Sequence, residues 1–216
     1  MNLPRTSSKI RPKRKTARQP SADRYTAILE SASELFARKG IRATTVREIA
    51  EQVGLLSGSL YHHFPSKEAI VDEIITRYLD ALLGSYREVL AADLDPRSRL
   101  HGLVTASLET AKAAPDATVI YQNELDQLRQ RPGYGHIQAA VHEVQQSWLD
   151  VIEDGRARGA FRSDIAPPVF YRLIRDAVWL SVKWFRPDGS KTLAQFANDC
   201  TSVFLDGLGA REPATG

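Results

Sequence analysis

Within LSGSLYHHFPSKE, Leu56 to Glu68, the residues Ser57, Gly58, Ser59, Tyr61, His62 and Lys67 are small, polar or basic. A helix that enters the major groove of DNA needs that combination. Small residues let the backbone come close, and free polar groups meet base edges and phosphates. Leu60 and Phe64, four apart, would turn the opposite face inward. On its own the stretch reads better as a short surface helix between core helices. The preceding TTVREIAEQVG shifts the balance, because Thr45 to Glu48 has the S/T-x-x-E form of a capping box and Gly54 ends the helix it starts. Two short helices joined by a tight turn make a helix-turn-helix.

A second constellation lies in YRLIRDAVWLSVKWFRP, where Arg175, Trp179 and Lys183 fall at i, i+4 and i+8 along one helix line. A line of cation, aromatic and cation could hold an anionic, partly apolar ligand, with the indole on a ring and the cations on phosphate or carboxylate. It could equally be a core tryptophan flanked by two rim cations. Arg172 and Asp176 have the spacing of an ordinary surface ion pair.

Other chemistries find less support. His62 and His63 are adjacent, so on a helix they point about 100° apart, and no third ligand stands nearby. No metal site and no cofactor are expected. Glu124, Asp126 and His136 are the nearest acid and base candidates for an enzyme such as a hydrolase. No nucleophile elbow, metal spacing or phosphate loop accompanies them, and no catalytic residue is assigned.

The elements that must position these residues all read as helices. Ile28, Ala32, Leu35 and Phe36 give the first, from Asp23 to Gly40; Thr45 caps the second; Ser57 is expected to cap a third that runs through Phe64. Pro65 and Ser66 restart the chain as a long helix reaching about Ala91, and Asp95 with Pro96 starts another. Further helices follow over 118–130, 135–158 and 169–185, and a last one carries Leu193, Phe196, Ala197, Cys200, Val203 and Phe204. The 169–185 helix is apolar on more than one face, which calls for two partners. The fold is read as all-α with about nine helices. It divides into a basic arm (1–21), a helix-turn-helix domain (22–68), a larger ligand-binding and dimerisation domain (69–209) and a tail (210–216).

The net charge of +3 conceals a division. Seven of the 29 basic residues lie in the first twenty positions with no acid, leaving 22 bases against 26 acids elsewhere, a net of −4. The arm has the composition of a disordered segment that can lie on DNA phosphates, whereas a non-specific DNA-packaging protein would spread its basic charge over the folded part. The single cysteine, Cys200, excludes an intrachain disulfide, and no apolar run is long enough to span a membrane. A cytoplasmic protein is expected.

The run from LFARKGIRATTVREIAEQVG through LLSGSLYHHFPSKEAIVDEI resembles the TetR family of bacterial repressors. The resemblance implies a three-helix DNA-binding domain, a fourth linking helix, and a helical domain that dimerises and binds a small molecule. It would put Thr45 near a phosphate, Gly58 and Ser59 against base edges, and Tyr61, His62 and Lys67 on phosphates. RLIRDAVWLSVKWFRP, with VIYQNE upstream, is similar to an actinobacterial subgroup that controls steroid catabolism and answers to CoA thioesters of partly degraded steroid rings. That likeness would direct phosphates to Arg175, Lys183 and Arg186 and apolar parts to Tyr121, Trp148 and Trp179. The implied partners are a palindromic operator, the inducer and a second copy of the chain joined through its last two helices, with no membrane partner.

Overall fold

Local hydrogen bonding fixes where most of the helices begin and end. The computed structural model describes residues 21–129, 133–186 and 189–207, and among these it holds nine α-helices and no strand. The basic arm up to residue 20, the tail beyond Gly207 and the side chain of Asp126 lie outside the described residues. Helix α1 (Ser21–Lys39) starts two residues before the expected Asp23. It buries Ile28, Ala32, Leu35 and Phe36 and ends at Gly40, whose φ of 84° lets its N–H reach the Phe36 carbonyl at 2.8 Å.

Helix α2 (Val46–Gln52) opens with the expected capping box: Thr45 Oγ1 accepts the Glu48 N–H at 3.2 Å, and Glu48 accepts the Thr45 N–H at 2.8 Å. Lys39 also donates to Glu48. These bonds, that of Lys39 first, hold the Glu48 carboxyl down to about 2. The stability that this carboxylate contributes is therefore complete above the usual carboxylate range and is lost as pH falls toward 2.

Helix α3 (Ser57–Leu60) departs from the sequence reading at both ends. Its N-cap is Leu56, not Ser57, because the Leu56 carbonyl already accepts from Ser59 at 2.9 Å and Leu60 at 3.3 Å, which puts Ser57 inside the helix. The helix also stops at Leu60, since the His63 and Phe64 N–H groups both return to the Leu60 carbonyl and close a turn. Ser66 then accepts the Ala69 N–H at 3.1 Å and caps α4 (Lys67–Ala91). At about 1.5 Å per residue, α4 is roughly 37 Å long.

Helices α5 (Pro96–Ala113), α6 (Pro115–Arg129), α7 (Gly135–Ala157), α8 (Pro167–Leu180) and α9 (Leu193–Asp206) form the larger bundle. Asp95 caps α5 as expected, accepting from Arg97 and Ser98. Helix α5 packs against α4, α7, α8 and α9, and α1 leans on α6. At the centre, Trp148 donates from Nε1 to the Tyr86 hydroxyl at 2.9 Å, and Tyr86 meets Ser107 Oγ at 2.5 Å. Ser107 gives its own proton to the Leu103 carbonyl, so Tyr86 must be the donor to Ser107 and every polar group in the chain is satisfied.

Helix α8 departs from the expected 169–185 span at both ends. It begins at Pro167, after an uncapped Ala166, and Asp164 just before it pairs with Arg162. The α-helix also ends at Leu180 rather than Phe185, because Ser181 bonds back to the Val178 carbonyl and the chain tightens into a 3-10 turn over Ser181–Lys183. The α8–α9 face carries the apolar excess noted in the sequence: Val169, Leu173, Leu180, Trp184 and Val203 are exposed, Leu173 by 62% and Trp184 by 63%.

Replacing Tyr86 by Phe removes one link and leaves the buried Trp148 N–H without a partner. Thermal denaturation should show a loss of about 1–3 kcal/mol of stability, with binding to DNA unchanged in the folded protein.

Candidate functional site

The reading face is assembled by three short segments. The Thr45–Glu48 box orients α2, the turn at Gly54 (φ 68°) redirects the chain, and buried Leu60 and Phe64 anchor α3 against the domain. This leaves Gly58, Tyr61 and His62 exposed and Ser57 and Ser59 half-buried. Gly58 has a negative φ, and a Cβ built on it meets no atom within 4 Å. The fold itself does not require glycine there.

An open groove of about 550 Å³ runs along this face, bringing together Thr45, Ser57, Tyr61 and Lys67 with Arg42 and Arg47. Both arginines were missed in the sequence, although RATTVRE sets them three residues before and two after the Thr45 cap. Arg47 is held by Glu51 at 2.7 Å on the exposed surface. Thr45 Oγ1 donates to Glu48 at 3.0 Å while accepting from its N–H, so its proton is already engaged.

Lys67 differs most from the sequence expectation. Its Nζ donates to the carbonyls of Ile41 at 2.7 Å and Thr44 at 2.9 Å, which leaves one N–H for anything else. These carbonyls belong to the turn between α1 and α2, so the first residue of α4 fastens the reading face to the long helix. The same end of α4 is tied to α7: Tyr134 donates to the Glu68 carbonyl at 3.2 Å, and His136 Nε2 lies 2.8 Å from Asp72 Oδ1. His136, once a candidate base, therefore belongs to a joint. His63 is half-buried, and among the described residues no group of three metal-ligating side chains is found.

In the larger bundle the expected ligand residues separate. Tyr121 and Trp179 lie together, ring centroids 6.2 Å apart, and Tyr78 joins them at 5.3 Å from Tyr121. The Tyr78 hydroxyl and Trp179 Nε1 are buried near one another and make no well-formed hydrogen bond, and Gln122 donates to the Trp179 carbonyl while its own Oε1 accepts none. Burial pushes the Tyr78 hydroxyl above its ordinary pKa, partly offset by Thr118 and Trp179 beside it. Trp148 is instead a core residue, fully buried between Tyr86 and Tyr171.

The cations do not form the expected line, because the 3-10 turn takes Lys183 off the α8 surface row. Arg175 pairs with its neighbour Asp176 at 2.7 Å, which displaces the expected Arg172–Asp176 pair. Lys183 and Arg186 are exposed.

A cavity of about 580 Å³ opens between α1, α4 and the α5–α6 junction, with Leu29, Ile74 and Tyr78 among its apolar walls. Tyr78 belongs to both the cavity and the aromatic trio. In the sequence it was one apolar position among many on α4. Glu30, Glu109 and Asp116 stand at the cavity with Arg77, which is engaged by Glu73 at 2.6 Å.

Residues 28–74 match the description "Bacterial regulatory proteins, tetR family", and residues 93–208 match "Tetracyclin repressor-like, C-terminal domain". The HTH-type transcriptional repressor KstR2 of Rhodococcus jostii is 46% identical over 185 residues, covering 86% of this chain and 91% of that protein. KstR2 of Mycobacterium tuberculosis is 41% identical over 181 residues, covering 84% and 90%. The solved structure of ketosteroid transcriptional regulator KstR2 of M. tuberculosis superposes with a TM-score of 0.80 at 40% identity, covering 87% of this chain and 96% of that one. Among the described residues no helix is long and apolar enough to cross a membrane.

Changing Gly58 to Ala should raise stability by about 0.4–1 kcal/mol, since the backbone there suits alanine. The same change should weaken binding to duplex DNA roughly tenfold. Parallel melting and fluorescence-anisotropy measurements check both signs.

Proposed function

The chain belongs to the tetR family of bacterial regulatory proteins, and from that premise we propose that it is a transcriptional repressor released from its operator by a small inducer. The observation that carries the reading is the α3 face, exposed and built around a glycine the fold does not need. Residues 22–68 act as the reader and 69–209 as the sensor and dimer unit. Gly58 and Ser59 approach base edges, while Tyr61, His62, Arg42 and Arg47 meet phosphates. Thr45 and Lys67 chiefly hold the face in shape, Lys67 with a single N–H left for a phosphate.

Two copies pair through α8 and α9, whose exposed Val169, Leu173, Leu180, Trp184 and Val203 have the composition of a homodimer face. Such a pair carries two α3 helices related by a two-fold axis. Its operator is then palindromic, with half-site centres separated by roughly 34 Å or a multiple.

For the inducer we infer a CoA thioester of a partly degraded steroid ring system, with genes of steroid or lipid catabolism as targets; the solved relative KstR2 is a ketosteroid transcriptional regulator, which supports the steroid part of this reading. Tyr78, Tyr121 and Trp179 offer ring faces, with an O–H and an N–H that a ring oxygen could satisfy. A ligand can reach Tyr78 from the 580 Å³ cavity, but the acids there repel phosphate, so the nucleotide end extends toward Arg175, Lys183 and Arg186. Release requires that the ligand bind the released conformation more tightly than the DNA-bound one. Tyr78 lies on α4, the helix that Lys67 fastens to the reader.

Footprinting should give a palindromic protected site, and such a CoA thioester should dissolve the complex at micromolar concentration. Trp179→Phe, which keeps a ring and removes the N–H, should raise the concentration needed several-fold while operator affinity stays constant. If no acyl-CoA releases the DNA, the inducer assignment is wrong; if no palindrome is protected, the repressor reading itself is wrong.

A further inference from the structure

Leu56 occupies the N-cap position of α3 with φ −77° and ψ 145°, and its side chain makes no capping hydrogen bond. Ser, Thr, Asp and Asn stabilise that position by accepting an N–H of the first turn, and leucine cannot. Leu56 is also 81% exposed, the largest exposure among the big apolar residues described. It thus breaks two local rules at once, an uncapped helix start and a solvated leucine. Thr45, Ser66, Asp95 and Thr192 cap four other helices, and of the α-helix N-cap residues that give no side-chain bond, Leu56, Tyr134 and Ala166, only Leu56 is a large apolar side chain left in solvent.

The exposure does not extend a protein-binding patch. Five of the other exposed large apolar residues, Val169, Leu173, Leu180, Trp184 and Val203, lie at α8 and α9. The neighbours of Leu56 are Leu55, half-buried, and then Ser57 and Gly58 of the reading face. A helix-turn-helix presents the first residues of its second helix to base edges in the major groove. The apolar feature on those edges is the C5-methyl group of thymine. Gly58, two residues on, has open space around its Cα and lets the backbone come near.

We propose that Leu56 is a specificity-determining residue that reads a thymine methyl in each operator half-site. The assignment rests on the DNA-binding reading above. Affinity and preference then come from different residues: Tyr61 and the arginines act on phosphates of any sequence, and Leu56 on one base.

The test starts with selection of binding sites from random duplexes by the full-length wild-type protein and by Leu56→Ala and Leu56→Ser. Each thymine of the selected site is then replaced by deoxyuridine, which removes only the methyl group. In the wild type, one position per half-site should lose about fourfold in affinity, the worth of one buried methyl. Neither variant should respond at that position, and Leu56→Ser should melt at a higher temperature because it restores a cap. The proposal is overturned if the wild type has no methyl-sensitive position, or if both variants keep the same sensitivity at the same position. Failure of the wild type to enrich any sequence would instead bring down the DNA-binding reading, and this proposal with it.

Discussion

One ammonium group on two backbone carbonyls ties the turn before α2 to the start of α4, alongside the packing of α1 on α4 and α6. In the turn between α1 and α2 the Ile41 carbonyl accepts a long bond from the Thr44 N–H at 3.4 Å, and Lys67 Nζ donates to both that carbonyl and the carbonyl of Thr44. Without it the α2–α3 unit would rest chiefly on α1, since α2 and α3 pack chiefly against each other and α1. Because Lys67 is also the first residue of α4, the orientation of the reading face becomes a property of that helix. Tyr134 and His136 of the α7 start grip the next turn of α4 through Glu68 and Asp72. The first two turns of α4 are thus a junction with the reader on one side and the sensor on the other.

In the proposed mechanism that junction is the route from ligand to DNA. Tyr78 stands three turns further along α4, inside the aromatic trio and at the cavity wall, with a buried hydroxyl that makes no well-formed hydrogen bond. A buried polar group in that state costs stability until something satisfies it. A ligand that does so favours whichever placement of α4 suits it, and the reader follows because it is fastened at Lys67. Gly58, which the fold does not need, and uncapped Leu56 both lie on the proposed reading face.

Sequence reasoning was strongest where one residue type has one local use. Thr45 with Glu48, Asp95 with Pro96, and Gly40 predicted helix ends that the hydrogen bonds repeat, because capping needs only near neighbours. It failed at α3 and α8, where the deciding bonds come from the backbone turn before Leu56 and from Ser181 bonding back to Val178. The i, i+4 spacing left Trp179 open between a ligand line and a core position, and it is buried beside Tyr121. Spacing along one helix could not show that Tyr78, 101 positions earlier, completes the group, nor that Trp148 is engaged by Tyr86. The family resemblance implied a phosphate contact for Lys67, whereas its partners within the chain lie 23 and 26 residues away.

The central claim is that Lys67 fixes the reader on α4, and a distance measurement tests it without ligand or DNA. A spin label at Arg38→Cys, in a Cys200→Ser background, reports the separation of the two readers in the dimer by double electron–electron resonance. With Lys67 present the distribution should be narrow. In Lys67→Met, which keeps the apolar stem and removes the ammonium, it should broaden while helical content and dimerisation stay intact. A distribution equally narrow in both proteins would contradict the account and return Lys67 to the role of a phosphate contact.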